Sequence, residues 1–128
     1  MGGYAVRMIK PHGIRIKRAY DLPEPTDGTR LLVDRLWPRG LRKEAAALDG
    51  WEKALAPSPE LRQWFGHDPA RWQEFRRRYL AEMALNPEPF EAVRKLARSG
   101  TVTLVYAARD EAHNHALVLR DFLLGKLS

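Results

Sequence analysis

Residues 101–108, Thr-Val-Thr-Leu-Val-Tyr-Ala-Ala, limit the possible folds of this chain more than any other stretch. The run is β-branched and apolar with no charge in it, which is the composition of a sheet strand. Helical patterns flank it on both sides. Ahead of it, Phe90, Val93, Leu96 and Ala97 form an apolar stripe that begins after Asn86-Pro87 and stops at Ser99-Gly100. Behind it, Leu117, Val118, Phe122 and Leu123 mark a last helix ending near Gly125. A strand set between helices implies the α/β class, with a mostly parallel sheet in a small three-layer sandwich.

The other elements fit the same class. Ile14, Ile16 and the charged residues between and after them alternate over 14–18, so a half-buried strand is expected there. Pro23, Pro25 and Asp27-Gly28 make the next stretch a turn-rich loop, and Leu31, Leu32 and Val33 form a compact inner strand ended by Pro38 and Gly40. With no crossover element between these two strands, the first is expected as an antiparallel edge of a sheet of about four strands. Residues 42–48 favour a short helix. Trp51, Lys53 and Leu55 alternate, which favours a strand, although Trp51, Ala54 and Leu55 also suit a helical turn. Ser58-Pro59 and Asp68-Pro69 are cap-and-first-residue pairs that start helices. In the second of these, Trp72, Phe75, Tyr79 and Met83 share one face, and the helix is expected to run to about Leu85. Asp110 is expected to cap the last helix, with His113 and His115 in its first turns.

A length of 128 residues suits a single domain, here residues 14–128 after a flexible N-terminal segment 1–13. The chain has no cysteine, which excludes a disulfide, a zinc–thiolate site and a thiol nucleophile. No signal-peptide pattern or bilayer-length apolar run is present, so a cytoplasmic protein without a membrane partner is expected. Lys and Arg number 22 against 16 acidic residues, a net charge of +6, and the pI is about 10.0. That balance suits an anionic ligand or, through charge alone, a nucleic acid.

In an open parallel sheet, ligands bind beyond the carboxyl ends of the strands. Three segments fall there: Asp34 to Gly40, Pro57 to Asp68, and Ala108 to His115. Each is rich in functional side chains. Arg35, Arg39, Arg62 and Arg109 offer planar forks that match carboxylate or phosphate. Ser58, Asp110, His113 and Asn114 could complete a ligand site, with Asn114 orienting the ligand, and Trp37 is either core or a pocket wall. His67 and His115 could move protons, with Asp34 orienting one of them. A metal on His67, His113 and His115 is the less favoured alternative, because helical residues two apart point about 200° from each other. No cofactor is called for. No phosphate loop, Rossmann fingerprint or nucleophile elbow is present. Trp51, Trp64, Trp72 and Phe75 are expected in the core.

Three long stretches, DGTRLLVDRLWPRGL, LAPSPELRQWFGHDPARWQEFRRRY and VTLVYAARDEAHNHALVL, resemble the YeaO-like branch of the bacterial family called domain of unknown function 488. The resemblance runs from about Ile14 to Leu124 and implies a small α/β domain. Some branches of the family carry a cysteine-histidine-arginine motif near the last strand. His113-Asn114-His115 stands in that place here, so any thiol chemistry of those branches does not carry over. The resemblance implies no activity, and some family members bear transcription-regulator labels. Three functions remain: an enzyme or binder for a small anionic or phosphorylated molecule, a nucleic-acid-binding or regulatory protein, and a His/carboxylate metal-binding protein. Arg71, Arg76, Arg77 and Arg78 motivate the second, diluted by Glu74, Glu82, Glu88 and Glu91.

Overall fold

A computed structural model describes residues 13–126. Segment 1–12, nearly all of the stretch expected to be flexible, lies outside the described residues. Strands β1 (Ile14–Arg18), β2 (Thr29–Leu32), β3 (Gly50–Trp51) and β4 (Val102–Tyr106) form one sheet in the order β1-β4-β2-β3. Every pairing is parallel.

The expected antiparallel edge does not form. β1 runs parallel to β4, in register from Ile14 opposite Val102 to Arg18 opposite Tyr106. The reason lies in the loop 19–28. A five-residue strand is about 17 Å long, whereas ten residues can reach about 33 Å. The loop therefore returns along the whole sheet and passes β4, acting as a crossover with no α-helix and only a 3-10 turn, Pro25–Asp27. Gly28 ends it at φ 64°, where a Cβ would stand 2.2 Å from the Thr101 carbonyl oxygen. Only glycine lets the chain turn that close to the start of β4.

The second departure is at β3. The strand expected through Leu55 stops at Trp51, and Lys53–Leu55 form a 3-10 turn. The turn puts Leu55 in the core while Trp51 stays partly exposed. Tyr79 then donates its hydroxyl hydrogen to the Leu55 carbonyl.

Helices α1 (Lys43–Ala46), α2 (Pro59–Phe65), α3 (Trp72–Leu85), α4 (Glu88–Ser99) and α5 (His115–Leu123) complete the chain. Ser58 caps α2 by accepting the Leu61 N–H. Asp68 accepts the Ala70 N–H and caps a 3-10 turn, Pro69–Arg71, that feeds α3. Phe75, Tyr79 and Met83 are buried on the inner face of α3, and Phe90, Val93 and Ala97 on that of α4, where Leu96 is left exposed. Trp64 and Trp72 pack at the border of the core. Arg94 donates to the carbonyls of Phe122 and Leu123, which ties α4 to the end of α5. No helix among the described residues is long and apolar enough to cross a membrane.

The register sorts the side chains into two faces. Ile14, Leu31, Val33, Val102, Leu104 and Tyr106 face the helices and make the main core. The opposite face is covered by the 19–28 loop and the segment around α1. It holds a small cluster of Ala19, Leu32 and Val105, with Trp37, Leu41 and Leu48 against it. It also holds a buried polar knot. The Arg30 guanidinium meets Asp27 at 2.6 Å and the Ala46 carbonyl at 2.9 Å. Lys17 reaches the other Asp27 oxygen at 3.1 Å, and the Thr103 hydroxyl donates to the Asp27 carbonyl. Burial alone would raise the Asp27 carboxyl, but bonds from the Glu24 N–H, Lys17 and Arg30 outweigh it and hold the group below its ordinary value.

Candidate functional site

The segments that continue from β2 at Asp34, from the 3-10 turn after β3 at Ala56, and from β4 at Ala107 meet on one rim and enclose a cavity of about 560 Å³. From β2 come Asp34, Arg35, Trp37 and Arg39; from α2 and its exit come Arg62 and His67; from β4 come Arg109, Asp110, Asn114 and His115. All of these were named from the sequence. The rest of the lining includes an apolar set, the buried Pro38, Ala56, Pro57, Phe65 and Phe75 with the exposed Leu36.

Four guanidiniums and two carboxylates line this space, an excess of two positive charges with the histidines neutral. Among the described residues no ion pair neutralises Arg35, Arg39, Arg62 or Arg109. Arg35 donates from Nε to the Pro57 carbonyl at 3.3 Å. Arg39, Arg62 and Arg109 are exposed.

The carboxylates are occupied elsewhere. One Asp34 oxygen accepts the Ala107 N–H at 3.1 Å, which ties the end of β2 to the end of β4. The other, Oδ1, lies 3.2 Å from His115 Nε2. That nitrogen also sits 3.0 Å from the Val33 carbonyl. A carbonyl only accepts, so Nε2 carries the hydrogen and directs it at Val33. Asp34 Oδ1 is thus buried beside the ring without receiving a well-aligned hydrogen bond. In the neutral ring this arrangement selects the Nε2–H tautomer of His115, which leaves Nδ1 as the acceptor. Asp110 accepts the N–H groups of Ala112 and His113. The Ala112 N–H and then the His113 ring hold its carboxyl below the ordinary value.

Asn114, not Asp110, is the cap of α5. Its Oδ1 accepts the Leu117 N–H at 3.1 Å and its Nδ2 donates to the Asp110 carbonyl at 3.0 Å. His113 therefore stands before the helix. Asp110 caps only the turn that leads there. Two sequence-named residues do not line the cavity. His113 bonds through Nδ1 to Asp110 at 2.9 Å and sets its ring edge against Trp72. Ser58 is fastened to α3: its hydroxyl donates to Glu82 at 2.6 Å and its N–H to the same carboxylate at 2.9 Å. Among the described residues no group of three or more His, Cys, Asp or Glu is placed to hold a metal ion.

Trp37 does form a wall. Its Nε1 donates to the Leu41 carbonyl at 2.8 Å, and Trp51 meets it edge-on at 5.4 Å. Trp51 in turn donates to the Asp34 carbonyl at 2.7 Å. Sequence reasoning missed Tyr20, which lines the cavity and donates its hydroxyl hydrogen to the Arg39 carbonyl at 2.8 Å. The signal was its place two residues after β1. Reading β1 as antiparallel sent that strand end to the wrong side of the sheet.

Residues 13–128 match the family model described as "Inactive DUF488-N3 subclade". The chain is 46% identical to Uncharacterized protein YeaO of Escherichia coli (strain K12) over 110 residues, which cover 86% of this chain and 96% of that protein. It is 41% identical to Uncharacterized protein Rv3073c of Mycobacterium tuberculosis (strain ATCC 25618 / H37Rv) over 119 residues, 93% of this chain and all of that protein. No solved structure gives a significant match.

Proposed function

The chain belongs to the inactive DUF488-N3 subclade, and from that premise we propose that it binds a small anionic molecule at the C-terminal ends of its parallel strands. One observation carries the reading: four guanidiniums from three separate segments surround one cavity without a carboxylate from the described residues on any of them. A protein gains nothing in stability by gathering like charges unless something of the opposite sign arrives. The word "inactive" in the family description, and a sequence without cysteine, favour a binder over a catalyst.

The test is thermal unfolding in rising phosphate, sulfate or citrate, against sodium chloride at matched ionic strength. The natural protein is expected to gain melting temperature with the polyvalent anions. The triple variant Arg39→Ala, Arg62→Ala, Arg109→Ala is expected to lose that gain. An equal response in both proteins would defeat the reading.

A second reading, turnover in the same pocket, draws on the tautomer of the neutral His115 ring. With Nε2–H held toward Val33 beside Asp34, Nδ1 is the acceptor that a general base needs, and His67 is a second histidine lining the cavity. The nucleic-acid alternative draws less support. Arg77 and Arg78 both close on Glu74, at 2.5 and 2.7 Å, and Arg71 pairs with Asp68 and stacks on Trp64.

A further inference from the structure

The strand-end cavity combines two chemistries that a bare inorganic anion would not use together. Its lip carries Arg39, Arg62 and Arg109, exposed, without an ion pair among the described residues and drawn from three different segments. Its interior is built from flat, fixed rings. Trp37 is held by its bond to Leu41 and by the edge of Trp51. Phe65 stacks on Phe75 with centroids 4.2 Å apart. The volume of about 560 Å³ far exceeds that of a single oxyanion.

The lip points to the head group. A carboxylate has two oxygens in a plane and suits one guanidinium fork. Three forks approaching from separate segments suit a tetrahedral group that offers three terminal oxygens in different directions. The interior points to the body. Rigid aromatic walls gain most from a flat π-face and less from a flexible chain, which must be ordered to lie against them. An all-polar molecule would leave Ala56, Pro57 and Phe65 without a matching surface.

Resting on the anion-binding reading above, we propose that the ligand is a phosphate monoester of a ring-bearing molecule. The phosphate sits on Arg39, Arg62 and Arg109, and the ring lies against Trp37 and Phe65. A nucleotide and a simple aryl ester share this chemistry.

Calorimetric titration in low-salt Tris buffer distinguishes the outcomes, with inorganic phosphate, glycerol 3-phosphate, phenyl phosphate and adenosine 5′-monophosphate as probes. The two ring-bearing esters are expected to bind about tenfold more tightly than glycerol 3-phosphate. Trp37→Leu is expected to remove most of that margin and to leave inorganic phosphate unchanged, whereas Trp37→Phe keeps the margin. The nucleotide ahead of phenyl phosphate assigns the ring to a nucleobase; parity assigns it to a simple aryl group, and both support the proposal. Equal affinity for the aliphatic and aromatic esters overturns the proposal and leaves the anion-binding reading standing. No binding by any probe, inorganic phosphate included, overturns both. Should Trp37→Leu fail to fold, the ranking of esters on the natural protein decides alone.

Discussion

Two groups of arginines lie at opposite extremes in this molecule. On the loop-covered face, Arg30 is buried and each of its three guanidinium nitrogens has a partner: Nη1 meets Asp27, and Nε and Nη2 meet the carbonyls of Ala46 and Ala47. At the strand ends, Arg39, Arg62 and Arg109 stand exposed around a cavity, with no carboxylate partner among the described residues. The contrast separates two uses of one residue type. A buried guanidinium without partners would be too costly to keep, so Arg30 comes with a complete set and acts as a staple between loop, strand and α1. An exposed guanidinium can wait in water. Its lack of a partner costs the fold little and leaves its forks free for a ligand.

The comparison can be broken most severely at Arg30. Arg30→Met leaves Asp27 buried with only Lys17 as a cation, and a loss of about 3–5 kcal/mol is expected in urea unfolding. A much smaller loss would mean that the knot is not a staple. Next in size is the acid response. The Asp27 carboxyl is lower in the folded protein than its ordinary 3.8. The stability it contributes is therefore complete above that value and is lost as pH falls through the lower folded value. Urea midpoints measured downward from pH 5 should fall less steeply in Asp27→Asn than in the natural protein. Ser58 sharpens the sorting. Because Glu82 holds it, Ser58→Ala is expected to lower stability by about 1 kcal/mol, with no change in anion binding. The smallest effect belongs to the strand-end group: Arg39→Ala, Arg62→Ala or Arg109→Ala each shifts stability by less than about 0.5 kcal/mol, while each weakens phosphate binding. A large loss of stability in any of the three would move that arginine into the structural group.

Much of this division could be read from the chain, and the parts that could not have physical causes. Caps followed by proline gave the starts at Ser58 and Asp68, because both signals are local. The apolar run 102–106 declared β4 for the same reason, and the rule for strand ends then brought Asp34, Arg39, Arg109 and His115 to one rim. The direction of β1 was not local. It depends on how far the 19–28 loop travels, and on Gly28 fitting against Thr101, a contact between residues far apart in the chain. That one error hid Tyr20 from the site. Ser58 and His113 were the right types in the right segments. Which way they faced was decided by Glu82 on α3 and by Asp110 with Trp72. The cap of α5 shifted from Asp110 to Asn114 because both residue types serve, and only the Leu117 N–H chooses between them.

The most direct measurement is the place where a tetrahedral dianion settles. In crystals soaked with tungstate, a heavy relative of phosphate with a strong anomalous signal, the expected peak lies in the strand-end cavity, within hydrogen-bond distance of at least two of Arg35, Arg39, Arg62 and Arg109. A peak on the outer face of α3 beside Arg77 and Arg78, with the cavity empty, would contradict the division between structural and ligand-binding arginines.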